Sequence, residues 1–124
     1  MEEARAMVQY PFRHDELELA EAIREGAKRR PHQAFGEYYK GMGSSCALGA
    51  AYEGVYRLPS NVNSLHPRRL DRLFECLENT LRTCPEGCRK TLPLAAMIVH
   101  INDAHQWTRE QIADWVGRGS KENQ

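Results

Sequence analysis

The amino-acid sequence predicts an all-α fold, a compact bundle of four to five helices in a single domain over residues 1–124. Several segments place apolar residues three or four positions apart, on one face of a helix, and none shows the sustained alternation of a strand. Residues that favour helix starts and stops flank these segments. Any β-structure is expected only in a small irregular or hairpin arm near residues 34–46.

The first helix is predicted to begin after Asp15, so that residues 1–13 form an N-terminal arm. Asp15 and Glu18 have the spacing of a capping box, with Asp in the place of Ser or Thr. The aliphatic and small residues that follow share one face, and Pro31 ends the helix. The next segment, residues 34–46, is aromatic and rich in Gly, and its pattern does not decide between a hairpin and an irregular arm.

A second helix is predicted from Cys46 to about Tyr56, with Ser44 or Ser45 as its cap. Its interior is rich in Ala and Gly. Since Gly inside a helix is about 1 kcal/mol less favourable than Ala, close packing against another element is the expected reason for these residues.

A third helix is predicted after a polar loop at residues 59–67, running from Pro67 to Leu81. Proline suits the first turn of a helix, and the leucines of this segment form an apolar stripe with Phe74 at helical spacing. The sequence Cys-Pro-Glu-Gly-Cys at residues 84–88 then predicts a tight turn.

The last two helices are predicted to begin at Pro93 and after Thr108. The first of them continues through Ile101, and Thr108 has the spacing of a capping box with Gln111. The polar residues 118–124 are expected to form a flexible tail.

The charge balance excludes a global attraction to nucleic acid, because 17 basic and 17 acidic side chains leave no net charge. Residues 108–117 resemble the first helix of a helix-turn-helix. Only seven residues follow, however, and they are too few and too polar for a recognition helix. Nucleic acid is therefore not an expected partner.

No apolar run approaches the ~20 residues that a bilayer crossing requires. The acidic start of the chain also lacks the order of charged and apolar residues that defines a signal peptide. We therefore expect no membrane association and a cytoplasmic location, where cysteines are more often reduced or metal-bound than paired in disulfides.

Four residues have the spacing of a zinc site, and we call them the quartet: Cys84, Cys88, His100 and His105. The pattern is C-x3-C, eleven residues, then H-x4-H, close to the Cys2His2 spacing in which four protein ligands close a structural site. The alternative is that the cysteines are ordinary turn thiols and that His100 packs in the core.

The predicted helices present two difficulties for a zinc ion. On an ideal helix His100 and His105 would point about 140° apart. The helix must therefore end or tighten between them, and Asn102 and Asp103 favour such an end. In addition, a helix from Cys88 to His100 would rise ~15–18 Å. A zinc finger avoids this separation with a folded-back cysteine hairpin, whereas here the preceding segment is predicted to be helical.

Two further groups are candidates for catalysis. Cys46 lies at a predicted helix N-terminus, where partial positive charge lowers the pKa of a thiol and makes it a nucleophile or redox centre. The alternative for Cys46 is a small buried apolar residue. His100, Asp103 and His105 could form an acid–base cluster in which Asp103 orients an imidazole. The alternative for Asp103 is a structural role with Asn102 at the end of the helix.

Two segments resemble small uncharacterised proteins from bacteria, phages and mobile elements. Residues 44–54 and 92–116 match their C-A-x-G-A stretch and their later H-x-N-D-x-H-x-W-T motif, and residues 21–31 resemble their N-terminal part. The resemblance covers roughly half of the chain and implies a discrete fold without a particular chemistry. Some members carry a cysteine pair before the second motif, which favours metal binding.

These observations predict a small binding or adaptor protein that acts through protein–protein contacts, with the quartet as a structural zinc site and not as an enzyme centre. Aromatic residues concentrate at interfaces, and the irregular regions hold more of them than the fold needs: Tyr38, Tyr39, Tyr52, Tyr56 and Trp107. A homodimer, the commonest closed oligomer, is also expected. The alternative is a small enzyme or redox protein that uses Cys46 or the cluster of His100, Asp103 and His105.

Overall fold

The structure is a computed structural model that describes residues 2–58 and 69–119. Within these ranges the chain is mostly helical, but it also contains short strands and is not purely all-α. The helices are α1 (Glu2–Arg29), α2 (Ala47–Val55), α3 (Arg69–Asn79), α4 (Leu94–Asp103) and α5 (Arg109–Arg118). The strands are β1 (His32–Gln33), β2 (Tyr39–Lys40), β3 (Ser44–Ser45), β4 (Leu81–Thr83) and β5 (Thr91–Pro93).

The first three strands form a small sheet in the order β1-β3-β2, with β1 parallel and β2 antiparallel to β3. This sheet lies in the arm that was predicted near residues 34–46, apart from β1, which precedes it. The antiparallel hairpin of β4 and β5 lies far outside the arm. The prediction that β-structure would be confined to the arm is therefore wrong.

The third helix is shorter than its apolar stripe suggests. It ends at Asn79, and Leu81 is 61% exposed as the first residue of β4. The stripe itself is confirmed, since Leu73 and Leu77 are fully or almost fully buried. The predicted start at Pro67 and the loop at residues 59–67 lie outside the described residues.

Helix α1 corrects the predicted N-terminal arm, because it begins at Glu2 and already includes Asp15. Asp15 is therefore not a helix cap. Its carboxylate is buried and accepts a hydrogen bond from Arg72 of α3 at 3.3 Å. The expected capping role failed because the real partner of Asp15 lies 57 positions away in the sequence.

Helices α1 and α2 pack with their backbones in contact. A Cβ atom at Gly26 would overlap the carbonyl of Ala50, and one at Gly54 would overlap the carbonyl of Ala22. The predicted reason for the small residues of α2, a close approach to another element, is therefore confirmed. The core continues between α1 and α5 and over the inner faces of α3 and α4.

Arg82 of β4 is fully buried and joins the hairpin to two helices. Its guanidinium lies 3.9 Å from the centroid of the Trp115 ring in α5 and donates to the Trp115 carbonyl oxygen at 2.9 Å. The same group donates to the Glu16 carboxylate of α1 at 3.4 Å. Arg82 thus fixes the inner side of the hairpin to the core. The quartet cysteines lie at the outer end of the hairpin, in and beside its turn.

The C-terminal elements follow the predictions closely. Pro93 is the N-cap of α4, and the capping box of Thr108 and Gln111 is present in α5. Arg118 belongs to α5 and not to the expected tail, whose residues 120–124 lie outside the described ranges. In the described part of the chain, no helix has both the length and the apolar character of a membrane span.

Candidate metal centre

The quartet is assembled by the β4–β5 hairpin and by the helix that follows it. Cys84 directly follows β4, Cys88 lies in the turn before β5, and His100 is in the last turn of α4. The start of α4 is held beside the base of the hairpin by a hydrogen bond from the Leu94 N–H to the Thr80 carbonyl. The order of hairpin and helix is the one that Cys2His2 fingers use to hold zinc.

The four ligand atoms converge, with each within 4.8 Å of every other. The Nε2 atom of His105 lies 3.1 Å from Cys88 Sγ, 3.5 Å from Cys84 Sγ and 3.1 Å from His100 Nε2. Around a tetrahedral zinc ion, with Zn–S about 2.3 Å and Zn–N about 2.0 Å, neighbouring ligand atoms lie about 3.3–3.8 Å apart. The donor set therefore suits a metal ion such as zinc, and the separations around His105 lie close to these values, whereas the widest separation in the group, up to 4.8 Å, exceeds them.

Both predicted difficulties are removed by the local structure. Helix α4 ends at Asp103, and the N–H of its C-cap residue Ala104 donates to the His100 carbonyl at 2.8 Å. His105 thus lies beyond the helix, as the H-x4-H spacing required, and its ring meets that of His100 edge-on at 4.8 Å. The hairpin, which the sequence did not predict, brings the cysteines back towards the end of α4.

The pKa shifts of His100 and Cys88 act in opposite directions on metal binding, because a metal requires a neutral imidazole and a deprotonated thiol. Partial burial, with the nearby His105 and Lys90, lowers the pKa of His100, so the neutral imidazole that a metal requires is favoured. Desolvation and the adjacent Cys84 sulfur raise the pKa of Cys88, although its side chain is exposed. Binding of a metal would therefore release thiol protons.

Asn102, which lies between His100 and His105 in the sequence, is fully buried, and both the oxygen and the nitrogen of its side-chain amide are hydrogen-bonded. Its Oδ1 accepts from the Gln33 side chain at 2.7 Å and from the Ala47 backbone N–H at 3.0 Å. Its Nδ2 donates to the Ala34 carbonyl at 3.0 Å and to Asp103 Oδ1 at 2.7 Å. The residue therefore connects the end of α4 to the arm and to the start of α2.

The Asp103 carboxylate bonds to the arm, and none of its hydrogen bonds within the described residues goes to an imidazole. Its Oδ1 accepts from the backbone N–H of Gly36 at 3.0 Å in addition to the Asn102 amide. Gly36 has a φ of 80°, in the left-handed region that favours glycine, so this bond fixes a turn of the arm. The structural alternative for Asn102 and Asp103 is supported, with partners that spacing alone did not reveal.

Cys46 is the N-cap of α2, whereas Ser44 and Ser45 form β3. Its Sγ accepts from the backbone N–H of Gly49 at 3.3 Å, and the residue is only 3% exposed. Burial raises the pKa of the Cys46 thiol and outweighs that hydrogen bond. The expected lowering of the pKa at this helix N-terminus is therefore wrong, and the thiol has the surroundings of a small buried apolar residue.

A cavity of about 430 Å³ lies between the end of α1 and the start of α5. Arg24, Pro31 and Arg109 are among the residues that line it, and none of the predicted site residues is. Burial lowers the pKa of Arg109, whose guanidinium donates to the carbonyl of Pro31 at 3.0 Å. Arg109 thereby provides a hydrogen-bond donor for a backbone carbonyl just after α1. Its guanidinium therefore has a structural role.

The predicted aromatic residues separate into two groups. Tyr38, Tyr39 and Tyr56 are exposed, while Tyr52 and Trp107 pack partly against the core. The arm adds Phe35 and Met42 to the exposed apolar side chains, with Met42 at 91% exposure. The interpretation of the aromatic residues as a protein contact surface thus rests on the exposed side chains of the arm and on Tyr56.

Trp107 has a contact that the sequence did not suggest. Its indole Nε1 donates to the carboxylate of Glu86, which lies between the two cysteines, at 2.6 Å. The backbone N–H of Trp107 also donates to the Ile101 carbonyl at 3.1 Å. Only the W of the H-x-N-D-x-H-x-W-T motif, placed two residues after a ligand, could have drawn attention to this position.

The chain matches no family model, no curated protein and no solved structure. The resemblance to small proteins of bacteria, phages and mobile elements accordingly stays a prediction. The class to which the site belongs is defined by its own geometry, a Cys2His2 group on a hairpin and helix within a mostly helical fold.

Proposed function

We propose that the chain is a small helical binding module in which Cys84, Cys88, His100 and His105 hold one structural zinc ion. The observation that carries the proposal is the convergence of two thiols and two imidazoles within 4.8 Å. Zn²⁺ prefers these ligands, and four protein ligands leave no open position for a substrate. The metal therefore stabilises the fold and performs no reaction.

The proposed ion joins the cysteine turn to the segment that follows α4, two parts of the chain that the hydrogen bond between Trp107 and Glu86 also connects. The cysteine turn is the outer end of the β4–β5 hairpin, and His105 lies beyond the end of α4. Because such a site does not exist in the unfolded chain, the free energy of zinc binding becomes free energy of folding. Loss of the ion should therefore lower the free energy of unfolding.

The test is the metal content of the purified protein, measured by elemental analysis and by mass spectrometry under native conditions. We expect one zinc ion per chain. Cys84→Ser should abolish metal retention and lower the free energy of unfolding by several kcal/mol. Cys46→Ser changes a cysteine outside the quartet and is the matched control, which should retain zinc.

The proposal fails if zinc has no effect on the thermal stability of the metal-free protein. An equal melting temperature with and without added zinc would mean that the four residues converge without binding a metal. Retention of zinc by both Cys84→Ser and His105→Ala would likewise place the ion elsewhere.

We further propose that the module acts through protein contacts made by the arm, including contact with a second copy of the chain. The support is the exposed Phe35, Tyr38, Tyr39 and Met42, since aromatic residues and Met are enriched at interfaces. Sedimentation equilibrium tests the homodimer. A mass that stays near 14.2 kDa at high protein concentration would reject it.

A further inference from the structure

We infer that Trp107 and Glu86 are positioning residues for the metal site, an inference that rests on the proposed zinc function. Glu86 lies midway between Cys84 and Cys88, and Trp107 lies two residues beyond His105. The hydrogen bond from Trp107 Nε1 to Glu86 Oε2, which we call the latch, is 2.6 Å long. It joins the cysteine half and the histidine half of the site without using any ligand atom.

The indole is the fixed side of the latch. Its backbone N–H is bonded to the Ile101 carbonyl, its own carbonyl accepts from Gln33 at 2.8 Å, and its ring packs against the core. Gln106 just before it has a φ of 56°, so the chain turns sharply between His105 and Trp107. Trp107 is therefore held by the body of the protein at a set distance from His105.

The cysteine turn is the side that needs to be held. Residues 85–90 are exposed, and the turn is closed by backbone bonds from Cys84 to Lys90 and from Gly87 to Cys84. Among the described side chains of the turn, ligands apart, Glu86 is the one with a hydrogen bond to the histidine segment. The latch thus sets how the turn, with both sulfurs, faces the imidazoles.

Because the latch forms without the metal, the cysteine half and the histidine half of the site are already aligned before zinc binds. Zinc binding therefore costs less conformational entropy. In other metal sites, groups that bond directly to the ligands typically change metal affinity about 10–100-fold when they are lost, and a latch that holds the segments carrying the ligands acts in the same direction. The side chains of Trp107 and Glu86 therefore act on the Kd for zinc through Cys84, Cys88 and His105.

The experiment measures the Kd for zinc by competition with a chelator, using the reduced full chain. We expect Trp107→Phe and Glu86→Ala each to weaken binding about tenfold or more. The double variant should be no weaker than the weaker single one, since both changes remove one bond. Glu86→Gln retains an acceptor and should recover most of the affinity, and Glu75→Ala, at an exposed carboxylate of α3, is the control.

Two readouts separate positioning from a general structural effect. The zinc-free variants should melt near the wild-type zinc-free protein, with Glu86→Ala the more informative since Glu86 is exposed. In the zinc-free wild type, the Trp107 indole proton should be protected from solvent exchange. If Glu86→Ala and Trp107→Phe change the Kd less than twofold, or only through lower stability, the inference is overturned while the zinc site stands. A wild-type chain without zinc affinity would overturn the proposed function instead.

Discussion

Gly54 of α2 lies directly against the backbone carbonyl of Ala22 in α1, with no room for a side chain between them. Gly26 of α1 makes the corresponding approach to the carbonyl of Ala50. The helices that precede and follow the arm in the sequence are thus in contact backbone to backbone, and rigid main-chain atoms, not flexible side chains, set their separation.

Gly54→Ala is expected to destabilise the protein by about 3 kcal/mol or more, because the methyl group can be accommodated only if α1 and α2 move apart. Gly43→Ala is the matched control, since the nearest atom to its Cβ would be in the His32 ring at an ordinary 3.9 Å. Urea unfolding measures both. Equal midpoints for the two variants would show that the helices separate easily.

Asn102→Ala is expected to lower the free energy of unfolding by about 3 kcal/mol, because it leaves the Ala47 N–H and the Ala34 carbonyl buried without their partner. Hydrogen exchange in residues 34–46 should also become faster. Asn79→Ala, at the exposed end of α3, is the control and should have little effect. A loss below about 1 kcal/mol for Asn102→Ala would mean that water replaces the amide.

Asp15 predicts a pH dependence of stability. Burial raises the pKa of its carboxyl above the usual 3.8, although the facing Arg72 opposes the shift. A carboxyl with a higher pKa in the folded state binds its proton more firmly there, so its contribution to stability falls as the pH rises through the window above 3.8. Asp15→Asn removes this titration.

The stability of Asp15→Asn relative to wild type should therefore increase from acidic to neutral pH, as followed by urea unfolding at several pH values. Asp71→Asn, which removes an exposed carboxyl of α3, is the control variant. A relative stability of Asp15→Asn that decreases towards neutral pH would mean that the ion pair with Arg72 outweighs burial.

Cys46 should behave as a helix cap. Cys46→Ser keeps an acceptor for the Gly49 N–H and should change stability by less than about 1 kcal/mol, whereas Cys46→Ala loses the cap and should cost about 1 kcal/mol. Brief alkylation of the native zinc-free protein should label the exposed Cys88 before the buried Cys46. Earlier labelling of Cys46 would restore it as a reactive thiol.

Local patterns were sufficient for much of this architecture. The apolar stripe of α3, the capping box of α5 and the end of α4 near Asn102 and Asp103 all depend on residues within a few positions of one another. These features could be predicted because the sequence contains both partners of each interaction in a short window. The quartet extends over 21 positions and could be predicted for another reason, because its ligand types and spacing resemble a known zinc pattern.

The features that the sequence did not predict depend on partners that lie far apart in the sequence, or on competition between two local patterns. Leu81 continues the helical stripe of α3, yet it pairs with Pro93 across the hairpin, and the helix prediction concealed β4. Asn102 bonds to Gln33 from 69 positions away, and Asp15 bonds to Arg72 from 57. No spacing rule connects residues at such separations.

The buried guanidinium of Arg82 gives the two tryptophans different optical surroundings. Trp115 is 1% exposed and is covered by a cation, so its fluorescence should be that of an indole shielded from water and insensitive to added quencher. Trp107, beside the cysteine turn, is only partly buried. Quenching by a soluble agent such as acrylamide should therefore select Trp107, so the unmodified chain carries an intrinsic emission probe beside its metal-binding residues.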